Sequence, residues 1–428
     1  MRHVRLSVAK CAALILLAGC VLSWPIAAAT PTAKPEEVGL SAERLHRIND
    51  LIQRNIDAGT FSGAVALVAR QGRIAHLEAQ GLMDIESRKP MQKDAIFRIM
   101  SMTKPVVGVS IMMMIEEGKV RLTDPVSKFI PEMKDLKVAV AMTPAGPPPP
   151  PNTPTRFYTV PAEREITVRD LLTHTSGLVS GGISNREAQR VALKGKETLA
   201  DYLPRLGGVP LDFQPRARWA YRAQAGLRTL ARIVEITSGM PYDRFAKQRI
   251  FDPLGMKDTF FYPAQGNPRM ATLYRRGEKG LEKQNNPGFM NGAYFSGGGG
   301  LMSTAEDYLQ FAQMLLNGGE LNGKRLLGSK TVEVMTSVAA PDTLPGRPKG
   351  EGYGLSVRVV NDPIARSSFM SAGTFGWSGA FGTHFFVDPQ ERIVGILMAQ
   401  TPDQQVRLDF ENAIMHAIVG NGTLSGTH

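Results

Sequence analysis

Between residues 41 and 58 the apolar side chains return every three or four positions. Leu45, Ile48, Leu51, Ile52 and Ile56 share one face, and charged residues fill the others. That period predicts an amphipathic helix, with Ser41 placed to cap it. The pattern then changes. Gly63 to Arg70 and Arg73 to Gly81 are rich in β-favouring residues on either side of Gln71-Gly72, the mark of a hairpin. A third pattern starts after Pro105. The run Val106-Val107-Gly108-Val109-Ser110-Ile111-Met112-Met113-Met114-Ile115 is apolar on nearly every side, so its helix belongs in the middle of a domain. Glu116, Glu117 and Gly118 supply its stop.

From 119 to about 290 the chain reads as mostly helix and loop. Thr167 to Leu172 and Ala225 to Thr237 are the helices, the second ended by Ser238-Gly239. The stretch Pro144–Pro161, with five consecutive prolines at 147–151, is expected to be extended and unable to join a core sheet, as a surface loop or a lid. Beyond 290, Ser303-Thr304-Ala305-Glu306 reads as a capping box opening a helix through Leu316. Tyr353–Val360, His384–Val387 and Ile393–Ala399 read as β segments. Gln404–Val419 closes the chain as an amphipathic helix with Phe410, Ile414 and Ile418 on one face. The order predicts an α+β fold: an antiparallel sheet flanked by N- and C-terminal helices, built from 30–118 and 290–428, with a mostly helical insertion at 119–289.

The first 29 residues read as a removable leader. Arg2, Arg5 and Lys10 precede an apolar run from Cys11 to Leu22, Pro25 breaks it, and Ala27-Ala28-Ala29 offers a cleavage site. An exported protein, periplasmic or secreted, is the expectation. The run is too short to span a membrane. Leu17-Ala18-Gly19-Cys20 offers a rival reading, a lipoprotein box that would anchor the chain through Cys20. The apolar residues after Cys20 favour simple secretion. Both cysteines lie in this leader, which removes disulfides and thiol chemistry from the mature chain. The net charge of +11 for the whole chain is scattered, with no basic block and no aromatic-basic repeat, so no nucleic-acid partner is expected.

Chemistry concentrates at Ser101-Met102-Thr103-Lys104. A serine and a lysine three apart share one helix face. Pro105 is tolerated only in a first helical turn, so the helix begins near Ser101, and its free N–H groups and positive dipole end favour an oxyanion there. A lysine in a dry site sheds its charge and becomes a base for the serine. The same spacing at Ser7 and Lys10 lies in the leader. Other motifs fail. Gly318-x4-Gly323-Lys324 lacks the hydroxyl a phosphate loop needs, since Arg325 follows. Gly376-Trp377-Ser378-Gly379-Ala380 misses the last glycine of a nucleophile elbow. None of the seven histidines has metal-ligand spacing, so neither metal nor cofactor is expected. His174 reads as a hydrogen-bonded core residue. The Gly297–Gly300 run reads as a tight backbone approach.

Several segments resemble the serine β-lactamase and penicillin-binding-protein superfamily, in particular its class C and family VIII carboxylesterase branch. They are Phe97–Lys104, Ile166–Leu178, Phe251–Thr259 and Gly299–Thr304, in that order. The resemblance implies a β-lactamase/transpeptidase-like fold with Ser101 as nucleophile and Lys104 and Tyr221 as its bases. It implies an oxyanion hole from the N–H groups of Ser101 and Ala380, and substrate contacts from Trp377, Ser378 and Gly379 on an edge strand. Two departures stand out. Ala223 replaces the asparagine of the Tyr-x-Asn motif, and Trp377 replaces the cation of the third motif, which helps hold a substrate carboxylate. An indole offers an apolar face and one N–H. The implied function is therefore an exported serine hydrolase cleaving carboxylic esters. A β-lactamase or D-Ala-D-Ala carboxypeptidase is the nearest alternative, and a non-catalytic binding or sensor module with the same fold is another. The expected partner is a small-molecule ester or β-lactam-like substrate.

Overall fold

The computed structural model describes residues 30–142, 155–221, 224–263, 266–287, 290 and 292–420. The leader with Cys20, the five prolines at 147–151 and Ala223 lie outside them. The centre of the molecule is strand β1, Gly63–Arg70, in which every residue is buried. A strand without polar positions must be covered on both faces, and this one is. It pairs antiparallel with β2, Arg73–Asp84, across the Gln71-Gly72 turn. A short β3, Lys89–Pro90, follows. The C-terminal half supplies β4 (Glu351–Tyr353), β5 (Arg358–Val360), β6 (Phe375–Ser378), β7 (His384–Asp388) and β8 (Ile393–Ala399). The sheet runs β4-β5-β6-β7-β8-β1-β2-β3, antiparallel throughout. The two ends of the chain meet at the β1–β8 pair.

One face of the sheet is covered by helix α1, Ala42–Asp57, and the last helix, Gln404–His416. Ala64, Ala66 and Val68 pack there against Leu45, Ile48, Phe410 and Ile414. Val65, Leu67 and Ala69 point the other way, toward α2, Thr103–Glu116. This helix is buried from Thr103 to Met114, as its unbroken apolar run requires. Outward from it lie α3 (Gly182–Arg190) and α4 (Gln224–Ser238), then α5 (Ala305–Leu316) in the C-terminal half. The last helix is α6.

Four sequence expectations change. Thr304, and not Ser303, caps α5, because Ser303 is engaged in a two-residue bridge to Phe97. Tyr353–Val360 is two strands, since Ser356 turns at φ +74° between them. Phe375–Ser378 is a strand that the resemblance implied but the periodicity did not show, its alternation hidden by Gly376 and Gly379. Within 119–289, Lys137–Ala141 pairs with Phe157–Pro161, and Tyr274–Gly277 with Gly280–Lys283, so the end of the Pro-rich stretch is a strand in a separate ribbon. Among the described residues no helix is long and apolar enough to cross a membrane.

Phe410 is fully buried between α6 and the sheet. Phe410→Ala should cost about 3–5 kcal/mol, read as a lowered denaturation midpoint at unchanged slope. Activity per folded molecule should persist, because the residue lies across the sheet from α2.

Candidate active site

Ser101 sits in a single 3-10 turn, Met100–Met102, that runs directly into α2. Met100 before it holds φ at +44°, an unfavourable conformation for a side chain with a Cβ. The turn is gripped from two sides. Ile99 N–H donates to Leu301 O at 3.1 Å, and Leu301 N–H donates to Thr103 Oγ1 at 3.2 Å. The β6–β7 turn closes in from the other side, where Thr383 Oγ1 donates to Ile99 O at 3.2 Å. Gly379 lets it approach, because a Cβ there would stand 2.4 Å from Ile99 O and 2.2 Å from Thr383 Oγ1.

Lys104 is buried one turn along the same helix face. Its Nζ donates to Ser101 Oγ at 2.8 Å and to Gly298 O at 2.7 Å. Gly298 lies in the glycine run, which is indeed a tight approach. A Cβ on Gly297 would stand 2.5 Å from Leu227 O. Tyr221 Oη donates to Ser101 Oγ at 2.7 Å and accepts from Trp377 Nε1 at 3.2 Å. The hydroxyl is thus bracketed by an amine and a phenol.

Tyr221 is placed by the Leu171–Leu178 segment. Arg216 N–H donates to Thr175 O at 2.8 Å and Ala220 N–H to His174 O at 3.0 Å, which lays the chain before Tyr221 along this segment. His174 is in the core as expected, but its ring is not hydrogen-bonded. Among the described residues neither nitrogen has a partner, and the ring meets Trp219, Tyr221 and Tyr353 edge-on. Burial, then the Lys104 and Arg347 charges, holds its pKa well below 6.5, and among the described residues no hydrogen bond links its ring to Ser101.

Burial pulls the Lys104 amine below its ordinary value of 10.5, and the Tyr221 phenol only partly offsets this. Burial alone would raise the phenol, but the Lys104 charge and the hydrogen bonds with Ser101 and Trp377 bring it below 10.0. Each of the two donates to Ser101 Oγ, which lies between them. Among the described residues no cluster of three or more metal-ligating side chains occurs.

Two cavities meet at Tyr221. One, of about 540 Å³, is lined by Val179, Ala188, Leu193, Tyr202, Ala225 and Tyr294. The other, of about 460 Å³, is lined by Trp219, Arg347, Trp377, Ser378, Gly379 and Ala380. Every named third-motif residue therefore sits on one wall. That wall belongs to an inner strand and not to the edge strand the resemblance implies. Its end is nevertheless free on one side, because β5 pairs only with Phe375 and Gly376. The Ser378 hydroxyl contacts His384 and Arg407. Those two residues, the Gly298 carbonyl and Trp219 carry no local sequence signal; only folding brings them to the site.

Residues 48–418 match the family model described as Beta-lactamase. The chain belongs to the beta-lactamase family. It is a serine hydrolase. It is 36% identical to Protein Rv1367c of Mycobacterium tuberculosis, over 83% of this chain and 90% of that one. It is 30% identical to Esterase EstB of Burkholderia gladioli, over 87% of this chain and 93% of the esterase. Its fold superposes on the solved structure of EstCE1, described as a hydrolase with promiscuous acyltransferase activity, with a TM-score of 0.73 and 26% identity, covering 88% of this chain and 99% of that one.

The Lys104 geometry makes a pH prediction. Folding depresses this amine's pKa, so between the folded value and 10.5 the unfolded chain binds more protons than the native one. Stability rises with pH through that window and is lower by a constant amount beneath it. Lys104→Met has no such proton. It should flatten that slope in denaturation series and abolish turnover without lowering Tm at neutral pH.

Proposed function

We propose that this chain hydrolyses carboxylic esters through an acyl-enzyme on Ser101. The observation that carries the reading is the pair of contacts on one hydroxyl, Lys104 Nζ at 2.8 Å and Tyr221 Oη at 2.7 Å, beside an indole where a carboxylate-holding cation would stand. The hydroxyl proton passes to the amine–phenol pair as Oγ bonds to the ester carbonyl carbon. The N–H groups of Ser101 and Ala380 take the oxyanion. The carbonyl–alkoxy bond then breaks, and the pair returns its proton to the leaving alcohol. Water repeats the sequence on the acyl-enzyme, releasing the acid and restoring Ser101. The two cavities at Tyr221 take the acyl and alcohol parts. The names of EstB and EstCE1 agree with this substrate class. The basic-then-apolar leader supports export of the enzyme.

Ser101→Ala should abolish hydrolysis of p-nitrophenyl butyrate, and Tyr221→Phe should reduce kcat by roughly 10²–10⁴-fold. Wild type should turn over short-chain esters far faster than nitrocefin. The opposite preference would replace the ester reading with a β-lactamase one, and esterase activity surviving in Ser101→Ala would end both. Labelling of Ser101 by a fluorophosphonate separates either enzyme from a non-catalytic module.

A further inference from the structure

A second chain of contacts starts at Ser378, which shares the cavity wall with Trp377 but carries its hydroxyl toward α6. Neighbours along a strand face opposite ways. Trp377 packs into the core beneath the site and donates to Tyr221 Oη, whereas Ser378 turns toward α6. Ser378 Oγ lies 2.9 Å from His384 Nδ1 and accepts from Arg407 Nη1 at 3.2 Å. His384 Nε2 stands 3.0 Å from Glu411 Oε1, with its N–H off the ideal line. His384 and Glu411 are both almost fully buried. Glu411 also pairs with Arg358 at 3.0 Å and Arg366 at 2.9 Å, and Arg366 and Arg358 reach Glu351.

The charges around the imidazole are thus Glu411 and Arg407 from α6 and Arg358 from β5, with Glu351 and Arg366 behind them. Burial, with Arg358 and Arg407 opposing Glu411, lowers the His384 pKa to about 4. The ring is neutral at physiological pH. With its one proton on Nε2 toward Glu411, Nδ1 is free to accept from the Ser378 hydroxyl. The serine hydroxyl is then engaged by both His384 and Arg407.

This matters because the site end of β6 lacks a partner on the β5 side. Among the described residues, Trp377 and Ser378 are paired laterally with β7 alone, through the Trp377–Phe385 and Ser378–His384 pairs. We propose that His384 is a positioning residue for the nucleophile: backed by Glu411, it clamps Ser378 on one face of the strand and thereby fixes Trp377, Tyr221 and Ser101 on the other. The inference rests on the reading of Ser101 as nucleophile.

Two histidine replacements separate the clamp from plain structural support. In His384→Asn the amide oxygen falls near Nδ1 and keeps an acceptor for Ser378. In His384→Gln the longer amide falls near Nε2 and keeps only the Glu411 side. Either leaves Glu411 paired with Arg358 and Arg366. The Asn variant should keep kcat for p-nitrophenyl butyrate within about threefold. The Gln variant and Ser378→Ala should lose about 10- to 100-fold in kcat with KM nearly unchanged, the scale of a misplaced reacting group. Tm and circular dichroism should show all three folded. A role in stability alone would order the variants by Tm and leave kcat flat. Wild-type kcat in Ser378→Ala, or equal kcat in folded Asn and Gln variants, overturns the proposal. If His384→Asn does not fold, Ser378→Ala decides alone. Failure of wild-type Ser101 to label with a fluorophosphonate would instead remove the nucleophile reading.

Discussion

The structure depends on keeping one primary amine out of water. Lys104 gives up the hydration of its charged form for two hydrogen bonds, to Ser101 Oγ and Gly298 O, with no carboxylate partner among the described residues. An ammonium there would be expensive; an amine is not. The all-round apolar α2 serves this end, since burying its whole first turn buries Lys104 with it. So does the close approach at Gly297, which brings the 296–300 turn in to offer the Gly298 carbonyl as an acceptor. Stability is given up so that burial holds the lysine's pKa below its ordinary value, the trade expected at a working site.

The serine beside that lysine is fixed by three distant stretches of chain. The Phe97–Ser303 bridge, the Gly379 turn and the His174 carbonyl act on Phe97, Ile99 and Ala220, close in the chain to Ser101 or Tyr221. Two of the contacts are backbone pairings, and the third is the Thr383 hydroxyl on Ile99 O, brought in by the Gly379 turn. This explains why the family segments are short, because they are joints between elements. The strain at Met100 has the same origin, as the turn is held by its surroundings.

How much was legible in the sequence follows from that division. Elements with a strong period were readable: α1 with its Ser41 cap, the β1–β2 hairpin, and α2, whose apolar run has no polar side to confuse it. The pair Ser101–Lys104 was readable because both residues sit on one helix. Tyr221 was reachable only through resemblance, since 120 residues separate it from Ser101. The short strands were lost where glycines replace the alternating side chains, at Phe375–Ser378, and where one positive-φ serine splits a β run, at Ser356. His174 shows another limit. A histidine in a polar motif suggests hydrogen bonds, but three aromatic rings surround it in the fold, and no local pattern encodes them.

The third-motif wall links these points to substrate chemistry. A cation at position 377 would lie beside Tyr221 and so beside Lys104, where a second positive charge would depress the amine further and compete for the same phenol. An indole avoids that conflict. Trp377 donates one neutral hydrogen bond to Tyr221 Oη, stabilises the phenolate when it forms, and covers the site with apolar surface that keeps Lys104 dry. The gain is a phenol steadied without a second positive charge beside the amine; the loss is a charged partner for an anionic substrate. A neutral ester needs the first and has no use for the second. Base strength and substrate charge are therefore set together by one residue, and a substitution that restores the cation alters both.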